Sequence, residues 1–416
     1  MTGRDRKKET LGMRKILESL TVMASLFIFL FLIPNALLGE YIQLTEEIKI
    51  DTAANFQEIP SSFCTTEDNL FLITDHKAGI VKIFKKEENL LKFINVLGPR
   101  FENKKFVYPI YCFYNRKKGM LGVFDYGVRE IFIFNREKSG EFTWIKNVPC
   151  QWGGYDIQFA GDAEQLVVSG FLNDNENKPF DLYSINIKTG KINYLLPSHQ
   201  KYNLRNFEDY ILEYRQKRTL PAVGIYAFID IQGNELFFVW EGALRIIRLN
   251  LLSRKQMVFG HETPDYAKPD GYSLATFYKN ADQKNLRKKK ETMAFIRNIF
   301  ATPGHVFLVY ETAKSKNSNN LIFRLQTYTP DGFFLEDVLI PGNPCRQMWF
   351  DKENHELYAL SEKKGSNNNE FSIIKYKINR IKYEELYHRT VERLHIALKE
   401  LYLKASKIWR AIKICE

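Results

Sequence analysis

Six related hexapeptides recur along this chain: LFLITD from Leu70, MLGVFD from Met120, LVVSGF from Leu166, LFFVWE from Leu236, VFLVYE from Val306 and LYALSE from Leu357. Each is mainly apolar, β-branched or aromatic, which is the composition of a strand buried on both faces. Turn signals stand just ahead of them: Glu67-Asp68-Asn69, Lys118-Gly119, Gly161-Asp162, Gly233-Asn234, Pro303-Gly304 and Asn354-His355. Each hexapeptide is therefore predicted to be the second strand of a hairpin. Its first strand lies upstream, as in YPIYCFY (108–114), YDIQFA (155–160), IYAFIDI (225–231) and FIRNIFA (295–301).

A third strand follows every hexapeptide: GIVKIF (79–84), REIFIF (129–134), DLYSIN (181–186), ALRIIRLN (243–250), LIFRLQTY (321–328) and FSIIKYKI (371–378). A shorter fourth follows most of these, such as KFINVLG ending at Gly98 and KINYLLP ending at Pro197. A four-stranded antiparallel unit cannot bury both of its faces alone, and radial repetition solves that problem. The expected fold is all-β, a six-bladed β-propeller over residues 41–378; the alternative is a β-sandwich or two smaller β domains. The last unit stops after its third strand. YIQLTEEIKI (41–50) is predicted to supply the missing outer strand, so that no sheet edge stays open.

The propeller is expected to sit between two different ends. Leu20 to Ile33 carries no charge and follows Arg4, Arg6, Lys7, Lys8, Arg14 and Lys15, the grammar of an exported chain. Residues 1–40 are read as a signal peptide or a membrane anchor, which places the remainder outside the cytoplasm, in the periplasm or at the cell surface. Residues 379–416 form a C-terminal amphipathic helix by pattern, with Tyr387, Val391, Leu394, Leu398, Leu401, Ala405, Ile408 and Ile412 on a seam of seven-residue period. That seam suits packing on a partner, self-association or a membrane surface.

Charge narrows the partners. Residues 1–18 hold six basic and three acidic side chains and residues 379–416 nine and five, so most of the net +11 lies at the ends. The one dense basic run, Arg287 to Lys290, reads as a solvated face, and no nucleic-acid groove is expected. Five cysteines include no C-x-x-C or C-x-x-H unit, so no structural zinc site and no cofactor are expected. Cys64 and Cys112 fall on neighbouring inner strands and are the favoured pair if a disulfide forms, with isolated buried thiols as the other reading.

The segment Asp68 to Gly98, DNLFLITDHKAGIVKIFKKEENLLKFINVLG, resembles the NHL-type repeats of six-bladed propellers, in which an apolar strand ends in Asp, a polar turn follows and an I-x-x-F chain leads to a closing Gly. Val239 to Gly260 repeats the theme more loosely. The likeness is to the bacterial exported branch of that family. It implies a fold; the family spans protein binders, RNA binders and some lyases, so no activity follows from it.

Alternating strand direction places the second-to-third turns and the linkers between units at one end of a blade. Five of the hexapeptides end in a carboxylate, and Asp75, Asp125, Glu241, Glu311 and Glu362 are expected to gather there. They can serve as an acidic ring for a cation or a basic partner, or simply accept backbone N–H bonds in their turns. Trp152 and Tyr155, beside Gly153 and Gly154, and Arg346 beside Cys345 occupy linkers at the same end, and such side chains are favoured at recognition sites. The expected function is a noncatalytic binding module for a protein, peptide or glycan. The alternative is a lyase- or lactonase-type propeller enzyme with a metal at the channel mouth. No G-x-S-x-G elbow, P-loop or nucleotide fingerprint occurs.

Overall fold

A computed structural model describes residues 42–56, 58–97, 105–150, 156–161, 163–173, 179–197, 227–242, 244–263, 294–312, 322–364 and 369–379. The predicted signal or anchor segment, the C-terminal helix, Trp152, Tyr155 and the basic run at 287–290 lie outside these residues. Strands are the main regular elements among the described residues, joined by turns and loops, with one short 3-10 turn at Thr52–Ala54. Among the described residues no helix is long and apolar enough to cross a membrane. Leu44–Lys377 forms one compact unit.

The unit begins with β1 (Ile42–Ile50) and then repeats one motif. Strands β2 (Phe63–Thr65), β3 (Leu70–Asp75), β4 (Ile80–Glu87) and β5 (Leu90–Leu97) form an antiparallel meander. The next meander comprises β6 (Pro109–Asn115), β7 (Met120–Asp125), β8 (Glu130–Arg136) and β9 (Phe142–Pro149). It is followed by β10 (Asp156–Ala160), β11 (Gln165–Asn173), β12 (Pro179–Asn186) and β13 (Ile192–Pro197). Then come β14 (Ala227–Gln232), β15 (Glu235–Trp240), β16 (Ile246–Asn250) and β17 (Gln256–Phe259). The fifth meander is β18 (Phe295–Ala301), β19 (Val306–Glu311), β20 (Phe323–Tyr328) and β21 (Phe334–Leu339). Last are β22 (Met348–Asp351), β23 (Glu356–Lys364) and β24 (Asn369–Ile378), with β1 beside β24 as the fourth strand. Through β1 the last meander joins the first, because Lys49 and Ile50 pair in parallel with Leu90 and Leu91 of β5. The result is four separate four-stranded sheets and one eight-stranded sheet.

The six hexapeptides are the second strands β3, β7, β11, β15, β19 and β23. Their burial follows from composition: Leu72, Ile73, Leu121, Val123, Leu166, Val167, Leu236, Phe238, Val306, Leu308, Leu357 and Leu360 are all fully buried. Successive sheets share cores, as where Phe237, Val239 and Ile246 pack with Ile296, Leu308 and Tyr328 of the following sheet. The outer strands are wetter; β5 keeps Leu91 and Leu97 buried while Leu90, Lys92, Ile94 and Asn95 are exposed. The predicted turns are tight and adopt the left-handed region at Asn69 (φ 61°) and Gly233 (φ 61°), which Asn and Gly tolerate best.

Candidate functional site

The first strand of every meander faces a common cavity of about 660 Å³, lined among others by Phe63, Tyr111, Asp156, Phe228, Asn298 and Trp349. This is the size range of small-molecule pockets, which place a few polar groups among aromatic walls. The first strands run from the linker end of the cavity to its hairpin end.

Side chains stitch these strands into a closed circuit. The Ser62 hydroxyl accepts from the Cys112 amide at 3.1 Å, joining the start of β2 to β6. Tyr111 of β6 donates to Asp156 of β10 at 2.5 Å, and Asp156 accepts from the Ile229 amide of β14 at 2.9 Å. Asp230 accepts from the Ala301 amide of β18 at 2.6 Å, and Asn298 donates to the Met348 carbonyl of β22 at 3.2 Å. Arg116 closes the loop, donating to Asp351 of β22 at 2.9 and 3.1 Å and to Thr65 of β2 at 3.0 Å. Buried polar groups are tolerated only when partnered in this way.

Burial governs the acid chemistry here. Asp156 is 3% exposed, and desolvation pushes its carboxyl up to about 7 against the hydrogen bonds from Tyr111 and Ile229, with the Asp230 charge adding to the rise. The Tyr111 hydroxyl is pushed well above its ordinary value by burial and by Asp156. At the hairpin end the balance reverses. Burial opposes ionisation of Asp351, yet the Arg116 guanidinium holds its carboxyl below the usual range, while Arg116 also lies 5.2 Å over the Trp349 ring. Lys352 donates to Asp230 at 2.6 Å and to the Ile231 carbonyl at 2.8 Å.

At the linker end, Glu241, Arg297, Glu311 and Arg346 alternate in sign. Arg297 pairs with Glu241 and, at 2.7 Å, with Glu311. Arg346 grips the two oxygens of Glu311 at 2.9 and 3.2 Å. The Glu311 side chain is 8% exposed and that of Arg346 is 53% exposed. Burial works against ionised Glu311, but Arg297 and Arg346 outweigh it and hold the carboxyl below its ordinary value. A buried carboxylate thus fixes a guanidinium at the rim of the cavity.

The other predicted acids are placed differently. Asp75 accepts from the Ala78 amide of its own turn at 3.0 Å and from buried Lys82 at 2.6 Å. Asp125 accepts from four amides, those of Val107, Tyr108, Gly127 and Val128, at 2.6 to 3.3 Å. Glu362 is half-buried beside Cys345, whose thiol is pushed up by burial and by this carboxylate. The structure therefore brings Glu241, Glu311 and Arg346 together, while Asp75 and Asp125 serve their own turns and linkers. Among the described residues no group of three or more His, Cys, Asp or Glu side chains is arranged to hold a metal ion.

Sequence reasoning missed Tyr111, Arg116, Asp156, Asp230, Arg297 and Asn298. A signal was present: strands otherwise fit for complete burial carry one or two charged or amide residues in their midst, as in Phe228-Ile229-Asp230-Ile231 and Phe295-Ile296-Arg297-Asn298. Such a residue needs a partner from another strand.

No family model and no curated protein matches the sequence. In fold the chain is similar to a protein of Bacteroides fragilis NCTC 9343 described as exported, with a TM-score of 0.55 and 11% identity, covering 82% of this chain and 96% of that one. It is also similar to the WD40 repeats of RRP9, with a TM-score of 0.45 and 9% identity, covering 81% of this chain and 100% of that one. The Leu44–Lys377 unit is a β-propeller. The likeness at that identity concerns the fold alone, so the function has to be argued from the cavity and its rim.

Proposed function

We propose that this chain is an exported six-bladed β-propeller, similar to the NHL type, that acts as a noncatalytic binding module for a protein, peptide or glycan. The six blades are the meanders beginning at β2, β6, β10, β14, β18 and β22, with β1 as the outer strand of the last. Residues 1–40 direct export as a signal peptide or remain as a membrane anchor. Residues 379–416 add an amphipathic helix for packing or self-association.

The observation that carries this reading is Arg346. A guanidinium held by two hydrogen bonds to a buried carboxylate, yet half exposed at a cavity rim, has already lost much of the freedom that binding would otherwise cost it. Its remaining donors suit the oxygen atoms of a peptide or glycan. Trp152 and Tyr155, on the linker ahead of β10, are proposed as its aromatic partners. Glu241, Glu311 and Glu362 are assigned to shaping this rim, and Asp75 and Asp125 to holding the loops that form it.

The test is capture from the native envelope fraction by the purified chain. Trp152→Ala combined with Arg346→Ala is expected to abolish capture with an unchanged melting temperature. Capture that survives the double change would move the site off this rim.

A further inference from the structure

We propose that Cys64 and Cys112 are a disulfide site joining β2 to β6 when the chain folds under oxidising conditions. Formation in the cell rests on the export reading; the geometry does not. Both thiols are free, 0% and 2% exposed, in one core cluster. The Cys112 thiol donates to the Leu72 carbonyl at 3.4 Å, and Leu72 is the residue directly opposite Cys64 in the β2–β3 ladder. The Cys112 backbone is fixed against the same strand, since its amide donates to the Ser62 hydroxyl at 3.1 Å. Burial pushes the Cys64 thiol well above its ordinary value, with the Cys112 thiol beside it adding to the rise. Cys150 instead lies against the Tyr183 hydroxyl, in a different core cluster.

The chemistry is thiol–disulfide exchange. One thiol loses its proton and attacks the disulfide of an oxidant such as oxidised glutathione, expelling one thiolate and leaving a mixed disulfide. The second thiolate attacks the protein sulfur of that mixed disulfide and expels the other half of the oxidant. One S–S bond forms here, and the oxidant's disulfide becomes two thiols. Thiolate is scarce once the pair is buried, so closure belongs to the folding chain, and the finished bond is shielded from reductants. It would tie the eight-stranded sheet, through β2, to the neighbouring β6–β9 sheet.

The full chain, unfolded, reduced and refolded in a glutathione redox buffer, is alkylated in denaturant and its peptides are weighed. The expected product is the Cys64 peptide joined to the Cys112 peptide, two hydrogens lighter than the separate pair, with the remaining cysteines alkylated. Dithiothreitol, which reduces the bond once the chain opens, is expected to lower the melting temperature by roughly 5–10 °C, and Cys64→Ala combined with Cys112→Ala to remove that response. Alkylation of both cysteines without prior reduction, or linkage to other cysteines, overturns the site. Chain taken from native envelopes is expected to carry the same linkage, and both thiols free there also overturns it. Native chain found only in the cytoplasm would sink the export reading, while the refolding result still decides the site.

Discussion

Asp75 and Asp125 occupy the same repeat position as Glu241 and Glu311, yet the two pairs do different work. The short Asp side chain folds back on its own turn, where Asp75 meets the Ala78 amide and Asp125 the Gly127 and Val128 amides. One more methylene carries the Glu carboxylates past the turn to Arg297, and from Glu311 onward to Arg346. A repeat that reads as one pattern thus divides into scaffold and rim by the length of a side chain.

The largest effect is expected where most bonds converge. Asp125→Ala leaves four amides unpartnered and is expected to cost about 4 kcal/mol, read as a lower urea midpoint. If Asp125 belonged to the rim, its loss would alter ligand capture and leave stability almost unchanged. Lys82→Met breaks a buried pair whose lysine also donates to the Ala54 carbonyl at 2.5 Å and lies 4.0 Å from the Phe56 ring centre. That change is expected to cost about 3 kcal/mol by denaturant unfolding, since Asp75 stays buried without its cation.

Glu336 in β21 sharpens the contrast, because it belongs to neither group. It is 7% exposed, and burial, helped by the Asp337 charge, pushes its carboxyl up to about 7 from the ordinary 4.5. A raised acid gives stability that is complete below pH 4.5 and is lost as pH climbs toward 7. Glu336→Gln is therefore expected to stabilise the fold by roughly 1–3 kcal/mol at pH 8 and to make little difference at pH 4, measured by urea unfolding at both values. The smallest effect on folding is expected at the rim. Arg346→Ala is predicted to change stability by less than about 1 kcal/mol, because its guanidinium is half exposed and buried Glu311 keeps Arg297 as a partner, while weakening ligand capture.

The sheet pattern was legible because it is local. A hexapeptide, its turn signal and the following strand lie within some thirty residues, and composition alone marks Leu70–Asp75 or Val306–Glu311 as buried strands. The site was less legible because its contacts are not local. Asp156 meets Tyr111 and Ile229, and Arg116 meets Asp351; nothing in the chain near either residue announces its partner. Arg346 stood out by residue type, but Glu311, which fixes it, looked like any other turn acid. Only the closure of the first strands around one cavity distinguishes them.

An experimental electron-density map of the full chain tests the central claim most directly. It is expected to show six four-stranded meanders about one channel, Ile42–Ile50 hydrogen-bonded between β24 and β5, and Arg346 seated on Glu311 at the channel rim. Two face-packed sheets, or another number of sectors with residues 42–50 detached, would contradict the account.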